Sequence, residues 1–334
     1  YDSTVQANTV LGPGGDAAVL RVRGTDRAIA VKTDCNGRYV ALDPRVGGRI
    51  AVAEAARNVA CTGARPLAIT NCLNFGNPTR PEIFFQFREA VAGISEACIA
   101  LDTPVTGGNV SFYNESPSGS VHPTPVIGML GVIDSLEHIT RSTFRNAGDT
   151  IVLIGDCTPE IGGSEYLSTV HSVAAGRPPE CDLERERAVI STVLSAIRAG
   201  VVASAHDCSD GGLGVAIAEC IMANPDEMVG ADLDLEAWDR LPVRALLFGE
   251  AQGRVIVSSG DPARVLEIAA ENGVPARIIG SVTPLEAGLT VRISARSFTV
   301  GTETLADAYH NAIPRIMDTA PQSAAIEETE GVTA

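Results

Sequence analysis

Apolar positions along this chain fall into two kinds of run, and their order predicts an α/β protein in two parts. Short strand-like runs at 17–22 and 28–31 precede an alanine-rich helical stretch over 47–64, which stops near Gly63 as helices often do. A second helix begins near Pro81, a residue favoured in the first helical position. Its apolar positions Ile83, Phe87, Val91, Ile94, Cys98 and Leu101 keep helical spacing. A strand over 125–133 closes a first unit, expected to span 1–147. A new pattern opens at Asp149, with a buried-type strand over 150–154 and a helix over 183–198 that ends at Gly200. A short strand over 201–205 leads into His206-Asp-Cys-Ser-Asp-Gly-Gly212 and another helix. Strands over 254–258 and 277–282, with a helix after Asp261 between them, read as a βαβ-like unit. This second unit is expected to span 148–316, followed by a disordered tail over 317–334 with no hydrophobic periodicity. No short internal repeat is visible.

Composition narrows the classes. The 334 residues suffice for two domains of ordinary size. With 45% apolar and only 4% aromatic residues, the core must be aliphatic and alanine-rich. A net charge of −16 argues against nucleic acid or an anionic membrane as the main partner, yet leaves a nucleotide ligand open. Eight scattered cysteines form no CxxC pair, so neither zinc spacing nor a disulfide framework is indicated. Reduced thiols in a cytoplasmic protein are the simplest expectation. No apolar stretch reaches the roughly 18 residues that a membrane span needs. The N-terminus lacks Met and a signal peptide, and Tyr1-Asp-Ser-Thr4 reads like the middle of a longer chain.

Candidate chemistry concentrates in a few segments. Pro104-Val-Thr-Gly-Gly-Asn-Val-Ser-Phe-Tyr-Asn-Glu115 ends an apolar run in paired glycines, with Asn109, Ser111, Asn114 and Glu115 close behind. Glycines there admit a ligand close to backbone N–H groups, and the short polar side chains can reach phosphate or a hard cation. A tight structural turn explains the same residues. Glu54 and Asn58 share one helix face, as paired oxygen ligands or as a solvated surface. Asp16 follows three nearby glycines and suits either a third ligand or a turn. In the 206–212 segment, capping accounts for Ser209 or Asp210, but less readily for His206 and Asp207 together. Cys72 lies between Asn71 and Asn74 with no histidine near in sequence, as a small buried thiol would. Gly162-Gly-Ser164 is only a weak phosphate-loop signal, and no Walker, GxGxxG or kinase motif is present.

Taken together, seven ordered blocks resemble the phosphoribosylformylglycinamidine synthase (formylglycinamide ribonucleotide amidotransferase) family, and more narrowly the C-terminal half of its small-form synthetase subunit. They are Val10-Leu-Gly-Pro-Gly-Gly-Asp-Ala-Ala18, Ala51-Val-Ala-Glu-Ala-Ala-Arg-Asn-Val59, Asn71-Cys-Leu-Asn-Phe-Gly-Asn-Pro78 and Gly107-Gly-Asn-Val-Ser-Phe-Tyr-Asn-Glu115. Gly162-Gly-Ser-Glu-Tyr166, Ala205-His-Asp-Cys-Ser-Asp-Gly-Gly-Leu213 and Leu247-Phe-Gly-Glu-Ala-Gln-Gly-Arg254 complete the series, which runs nearly the whole chain.

The resemblance implies an aminoimidazole ribonucleotide synthase-like fold: an ATP-binding-type domain with an interface sheet, then a helix-backed α/β domain. It implies an ATP-dependent C–N ligase of purine biosynthesis, with ATP and Mg²⁺ as cofactors. It carries an ATP contact to Asn71 and another to Gly108, a Mg²⁺ ligand to Asn109 and a substrate contact to Ser111. Asn71 departs from the Asp often found there; it can donate as well as accept, but carries no charge. Asp16, Glu54, Asn58, Asp207 and Ser209 match a second, auxiliary nucleotide–Mg²⁺ site. The family's catalytic histidine belongs to the other half, so no catalytic residue is expected here and the chain alone should not complete the reaction. Implied partners are the N-terminal half, a glutaminase subunit, a small bridging subunit and formylglycinamide ribonucleotide. An exposed apolar edge where that half docks would let the fragment self-associate. Two other readings stand beside this one. One is a stand-alone homodimeric relative such as aminoimidazole ribonucleotide synthase. The other is a non-catalytic nucleotide-binding scaffold.

Overall fold

The computed structural model describes residues 5–319. Its first part supplies β1 (Thr9–Leu11), β2 (Ala18–Val22), β3 (Arg27–Asp34), α1 (Gly37–Leu42), α2 (Pro44–Cys61), β4 (Arg65–Asn74), α3 (Pro81–Leu101) and β5 (Val105–Ser111). A two-residue pair, β6 (Glu115–Ser116) and β7 (Gly119–Ser120), precedes β8 (Thr124–Ile133). The six longer strands form a sheet in the order β1-β2-β3-β8-β4-β5, with β4 and β5 parallel and the other neighbours antiparallel.

Along β8 every second residue is buried, the two-residue period of a strand with one face on a core. That face packs on α2, which lies among β8, α3 and α5 and is buried on almost every side. A helix so enclosed must be small where it packs, which accounts for its alanines, while its buried Glu54, Arg57 and Asn58 lie toward the second part. Gly48 and Gly93 let α2 and α3 cross closely; a Cβ on Gly48 would stand 2.5 Å from the Ala90 carbonyl oxygen. No described residues cover the other face of the sheet. Val31, Leu130 and Ala68 form one row across it and Thr33, Gly128 and Thr70 the next, bordering an open cleft of about 540 Å³.

The second part supplies β9 (Thr150–Ile154), α4 (Glu165–His171), α5 (Leu183–Arg198), β10 (Ser204–Asp207), α6 (Gly212–Met222), β11 (Gly230–Asp234), α7 (Val243–Phe248) and β12 (Val255–Ser259). It ends with α8 (Pro262–Glu271), β13 (Ala276–Thr283), β14 (Leu289–Ile293), β15 (Arg296–Val300), α9 (Thr302–His310) and α10 (Ala312–Thr319). Its seven strands run β10-β12-β9-β13-β11-β14-β15. Both β12 and β13 pair antiparallel with β9, so they are parallel to each other and α8 crosses over the strand between them. Helices α5 and α8 cover one face; α6, α7 and α9 cover the other, so the central strands read as continuous apolar runs. Asp182 caps α5 by accepting from the N–H groups of Glu184 and Arg185. α5 serves both parts: Ile190 and Leu194 join the first core, while Val189, Val193 and Ile197 join the second.

The mixed α/β class expected from sequence holds, with local differences. The helix expected over 47–64 starts earlier, at Pro44, because Asp43 accepts from the N–H groups of Arg45 and Val46. The strand expected over 201–205 lies at Ser204–Asp207, where pairing with β12 draws His206 and Asp207 into the sheet. The glycine pair at 107–108 sits inside β5, not in a turn after it. Helix α10 continues to Thr319, three residues into the tail expected from 317, and residues 320–334 lie outside the described residues.

Candidate functional site

The parallel register of β4 and β5 sets Asn71 opposite Gly108, Cys72 opposite Asn109 and Asn74 opposite Ser111. Two segments some 37 residues apart thereby bring together all four residues of the implied ATP, Mg²⁺ and substrate contacts at the edge of the sheet. Gly108 has φ +153°, and a Cβ there would overlap the Asn71 carboxamide; only glycine lets the strands lie this close. Asn109 is exposed, and its side chain has no hydrogen-bond partner among the described residues. Ser111 Oγ lies 3.2 Å from Asn114 Oδ1, while Asn114 Nδ2 donates to the carbonyls of Ser111 (2.8 Å) and Phe75 (3.1 Å). Glu115 is committed elsewhere: it accepts from the Asn77 N–H at 3.1 Å and the Ser120 hydroxyl at 3.0 Å. This edge is therefore neutral and open, with carboxamide, hydroxyl and bare backbone groups on offer.

The auxiliary candidates gather where the two parts meet. Asp16, Glu54, Asn58 and Ser209 line a cleft of about 400 Å³ together with Lys32, Asp34, His206, Asp210 and Glu219. Asp207 lies behind them, fully engaged. The buried Arg57 guanidinium holds it through Nε at 2.7 Å and also reaches Glu186 at 2.7 Å and Gln252 at 2.9 Å. Asn58 Nδ2 donates to the Glu54 carbonyl (2.8 Å) and to Asp207 (3.2 Å), so Glu54 and Asn58 form no solvated face. Asp16 stands 2.9 Å from His206 Nδ1, whose other ring nitrogen is 3.1 Å from Glu219.

Crowding of acids in a poorly hydrated cleft shifts their titration. Burial drives the Asp34 carboxyl up to about 7; Lys32 opposes this, Asp207 and Asp210 add to it, and Arg57 opposes it. Burial likewise raises Glu54 well above the carboxylate range, with Asp34, Asp210 and Asp207 reinforcing it. Burial works against a charged His206, yet Asp16 and Glu219 lift it to about 10, so it is an imidazolium at neutral pH.

Other sequence candidates have structural work. Ser164 caps α4 by accepting from the Leu167 N–H, and the adjoining Glu165 N–H donates to Glu250 at 2.8 Å. Glu250 also accepts from the Gly211 N–H at 2.8 Å and from the Tyr39 hydroxyl, clasping the two parts. Neither Ser209 nor Asp210 caps α6. Cys72 is half-buried, and among the described residues Asn74 alone is within hydrogen-bond reach of its sulfur. Burial raises the thiols of Cys35 and Cys208 to about 12, which leaves them un-ionised. Asp34, Arg57 and Glu250 were not picked out from sequence, and Asp210 was read as a helix cap. Lys32-Thr-Asp34 at the end of β3 was the one visible signal, since an acid closing a buried strand needs an account.

Among the described residues, no three His, Cys, Asp or Glu side chains meet at a metal-holding geometry. Asn109 offers one neutral oxygen, which fits a cation carried in on a polyphosphate and not a resident ion.

Sequence comparison agrees with this fold. The model of the AIR synthase related protein N-terminal domain matches residues 14–133, and that of the C-terminal domain matches residues 146–291. The chain belongs to the AIR synthase related family. The family's members include the phosphoribosylformylglycinamidine synthase subunit PurL of Moorella thermoacetica, 52% identical over 320 residues that cover 95% of this chain and 43% of the relative. The chain thus spans less than half the length of the curated relatives it matches. Among solved structures, T. maritima PurL complexed with FGAR superposes with a TM-score of 0.72 at 23% identity, over 88% of this chain and 48% of that one. T. maritima PurL complexed with ATP gives 0.70 at 23% identity, over 90% and 48%. PurLQS from Thermotoga maritima gives 0.68 at 24% identity, over 87% and 46%. These three likenesses concern the fold. The resemblance found in the seven sequence blocks is borne out by the relatives at about half identity. Among the described residues, no helix is long and apolar enough to cross a membrane.

Proposed function

We propose that this chain is the C-terminal half of a PurL-type synthetase. The whole enzyme would use ATP to convert formylglycinamide ribonucleotide to its amidine with ammonia drawn from glutamine. The observation that carries this reading is the pairing of Asn71 with Gly108 at an open sheet edge, with Asn109 and Ser111 following on the same strand. Relatives at about 50% identity named as PurL, and the folds of PurL with FGAR and with ATP, support it.

In this reading the substrate amide oxygen attacks the γ-phosphoryl group of ATP, releasing ADP and leaving an iminophosphate. Ammonia then adds to that carbon and phosphate departs. Asn71 contacts ATP through a carboxamide that both donates and accepts. Gly108 lets the nucleotide approach its bare backbone, and the Ser111 hydroxyl donates to the substrate. Mg²⁺ bound with the nucleotide would screen the polyphosphate charge, and Asn109 would lend it an oxygen. The acid–base group is assigned to the N-terminal half, which would complete the cleft. The uncovered sheet face supports such docking, and in the isolated chain it favours self-association. A glutaminase subunit and a small bridging subunit belong to the same reading as further partners, and the likeness to a structure named PurLQS supports complex formation. A division near residue 147, and the cytoplasm as location, belong to the same proposal.

The test is an assay with formylglycinamide ribonucleotide, ATP and ammonia, run on the chain alone and with an N-terminal half. Turnover only in the mixture is expected; robust turnover by the chain alone would reject the reading. The cross-part cleft is proposed as the auxiliary nucleotide–Mg²⁺ site, through Asp16, Glu54, Asn58, Asp207 and Ser209. Burial and mutual repulsion hold Asp34 and Glu54 upward there, and a divalent cation would relieve both, which supports this. Mg²⁺ with ADP should raise the melting temperature of the chain, and Glu54→Gln should remove that rise. No shift in the unmodified chain would leave the cleft a purely structural junction.

A further inference from the structure

The turn after β5 holds a residue that no packing requirement explains. Tyr113 has φ +62°, the left-handed region that a bulky non-glycine residue rarely adopts. It is 63% exposed, so burial does not compensate the strain. Its neighbours are the opposite. Phe112 stacks edge-on against Phe87 with ring centroids 5.0 Å apart, and Asn114 is tied to both Ser111 and Phe75. Tyr113's own N–H donates to the Gly76 carbonyl at 3.0 Å, and the Asn114 N–H donates to Phe75 at 3.2 Å. The backbone is thus locked on both sides while the ring packs on no other ring and the hydroxyl has no hydrogen-bond partner among the described residues.

Strained backbone persists where the surroundings over-determine it, and an exposed aromatic held in that state points to a ligand. Only Phe112 separates Tyr113 from Ser111, and Asn114 joins the two through the Ser111 hydroxyl. We propose that Tyr113 is a specificity-determining residue: its ring packs against the substrate that Ser111 contacts, with its hydroxyl as a further hydrogen-bonding group. A sugar or a planar amide presents a face that such a ring can cover. A fixed ring loses little entropy on binding, so the strain is repaid as pre-organisation. This deepens the proposed function and rests on the substrate contact at Ser111.

The test uses the assembled enzyme, this chain with its N-terminal half, with formylglycinamide ribonucleotide as the varied substrate. Tyr113→Ala is expected to raise KM for that substrate tenfold or more and to weaken its calorimetric binding equally, leaving KM for ATP within about twofold. Tyr113→Phe should retain most of the affinity. Tyr113→Gly removes both ring and strain, so the free chain should melt no lower than the parent while the substrate KM still rises. A merely structural role would move the melting temperature and not this KM. Ser111→Ala is the reference. If it weakens substrate binding while Tyr113→Ala does not, this inference falls and the proposed function stands. If neither does, the reading of this edge as a substrate site falls as well. A loss confined to kcat, with both KM values unchanged, also overturns the role given to Tyr113.

Discussion

The two candidate regions of this chain differ in almost every physical respect. The β4–β5 edge is neutral and solvent-exposed, and its polar groups are mostly uncommitted. The cleft between the two parts is charged and buried, and its groups largely answer one another: Asp207 with Arg57, Asp16 with His206. An open edge can bind only when something else closes it. A closed cleft is complete within one chain, but any ligand must compete with the bonds already there. The difference teaches where stability and where chemistry should reside. Substitutions in the cleft should unfold the protein, and substitutions at the edge should silence it.

The largest effect should follow from Arg57→Met. Glu186 and Asp207 would stay buried without their cation, and breaking one side of such a network costs about 3–5 kcal/mol. Urea titration measures it. The companion variant Arg57→Met with Glu186→Gln and Asp207→Asn should recover most of the loss. Equal instability of both would show that packing, not charge, sets the cost.

Gly108→Ala comes next and acts at the other region. The added methyl must push β5 away from the Asn71 carboxamide at a backbone conformation that disfavours Ala. Turnover of the assembled enzyme should fall about 100-fold, since a shift of about 1 Å in a binding group can cost that much. The free chain should lose only about 1–2 kcal/mol, a backbone effect at an exposed edge. A variant with parental activity would break the contrast.

Titration gives a subtler test. Folding raises Asp34 from 3.8 to about 7, so the folded state holds this proton more tightly than the unfolded chain. Its contribution is therefore complete below about 3.8 and is lost as pH rises through about 7. Glu54 is shifted in the same direction. The charges facing Asp34 are Lys32 and Arg57 against Asp207 and Asp210, with Glu54 across the cleft. Stability should decline between pH 4 and 7 by an amount on the order of 1 kcal/mol or more. Asp34→Asn should flatten that decline. Denaturation midpoints that rise over this range would contradict the sign.

What the sequence disclosed follows the same division. Helices with one strong apolar stripe were legible, as α3 was through Ile83, Phe87, Val91 and Ile94. The edge cluster was legible in part: Asn109 and Ser111 stand out behind paired glycines, but Asn71 joins them only through resemblance, because β4 was not anticipated and Arg65 to Asn74 shows no clean alternation. Without β4 nothing in the text puts Gly108 opposite Asn71, and two adjacent glycines read as a turn. The cleft was hidden for another reason. Arg57 meets Asp207 across 150 residues and Tyr39 meets Glu250 across 211, and such pairings leave no local periodic trace. Asp210 and Ser209 looked like caps, whereas Gly211 enters α6 in the left-handed region with no side-chain cap.

The smallest effect should come from Asn71→Asp, and it asks whether the open edge needs charge at all. Asn71 is only half-buried, so a carboxylate there stays hydrated and should change the stability of the chain by less than about 0.5 kcal/mol. If the nucleotide's charge is met by Mg²⁺ and the other half, a carboxamide that donates can replace a carboxylate that only accepts. KM for ATP in the assembled enzyme should then move by no more than about threefold, roughly 0.6 kcal/mol. A tenfold gain would mean that the missing charge weakens ATP binding and that this edge is a partly disabled form of the site. A tenfold loss would mean that the Asn71 N–H group holds a phosphate oxygen, so that neutrality is the working feature of this edge and sets it apart from the acidic cleft.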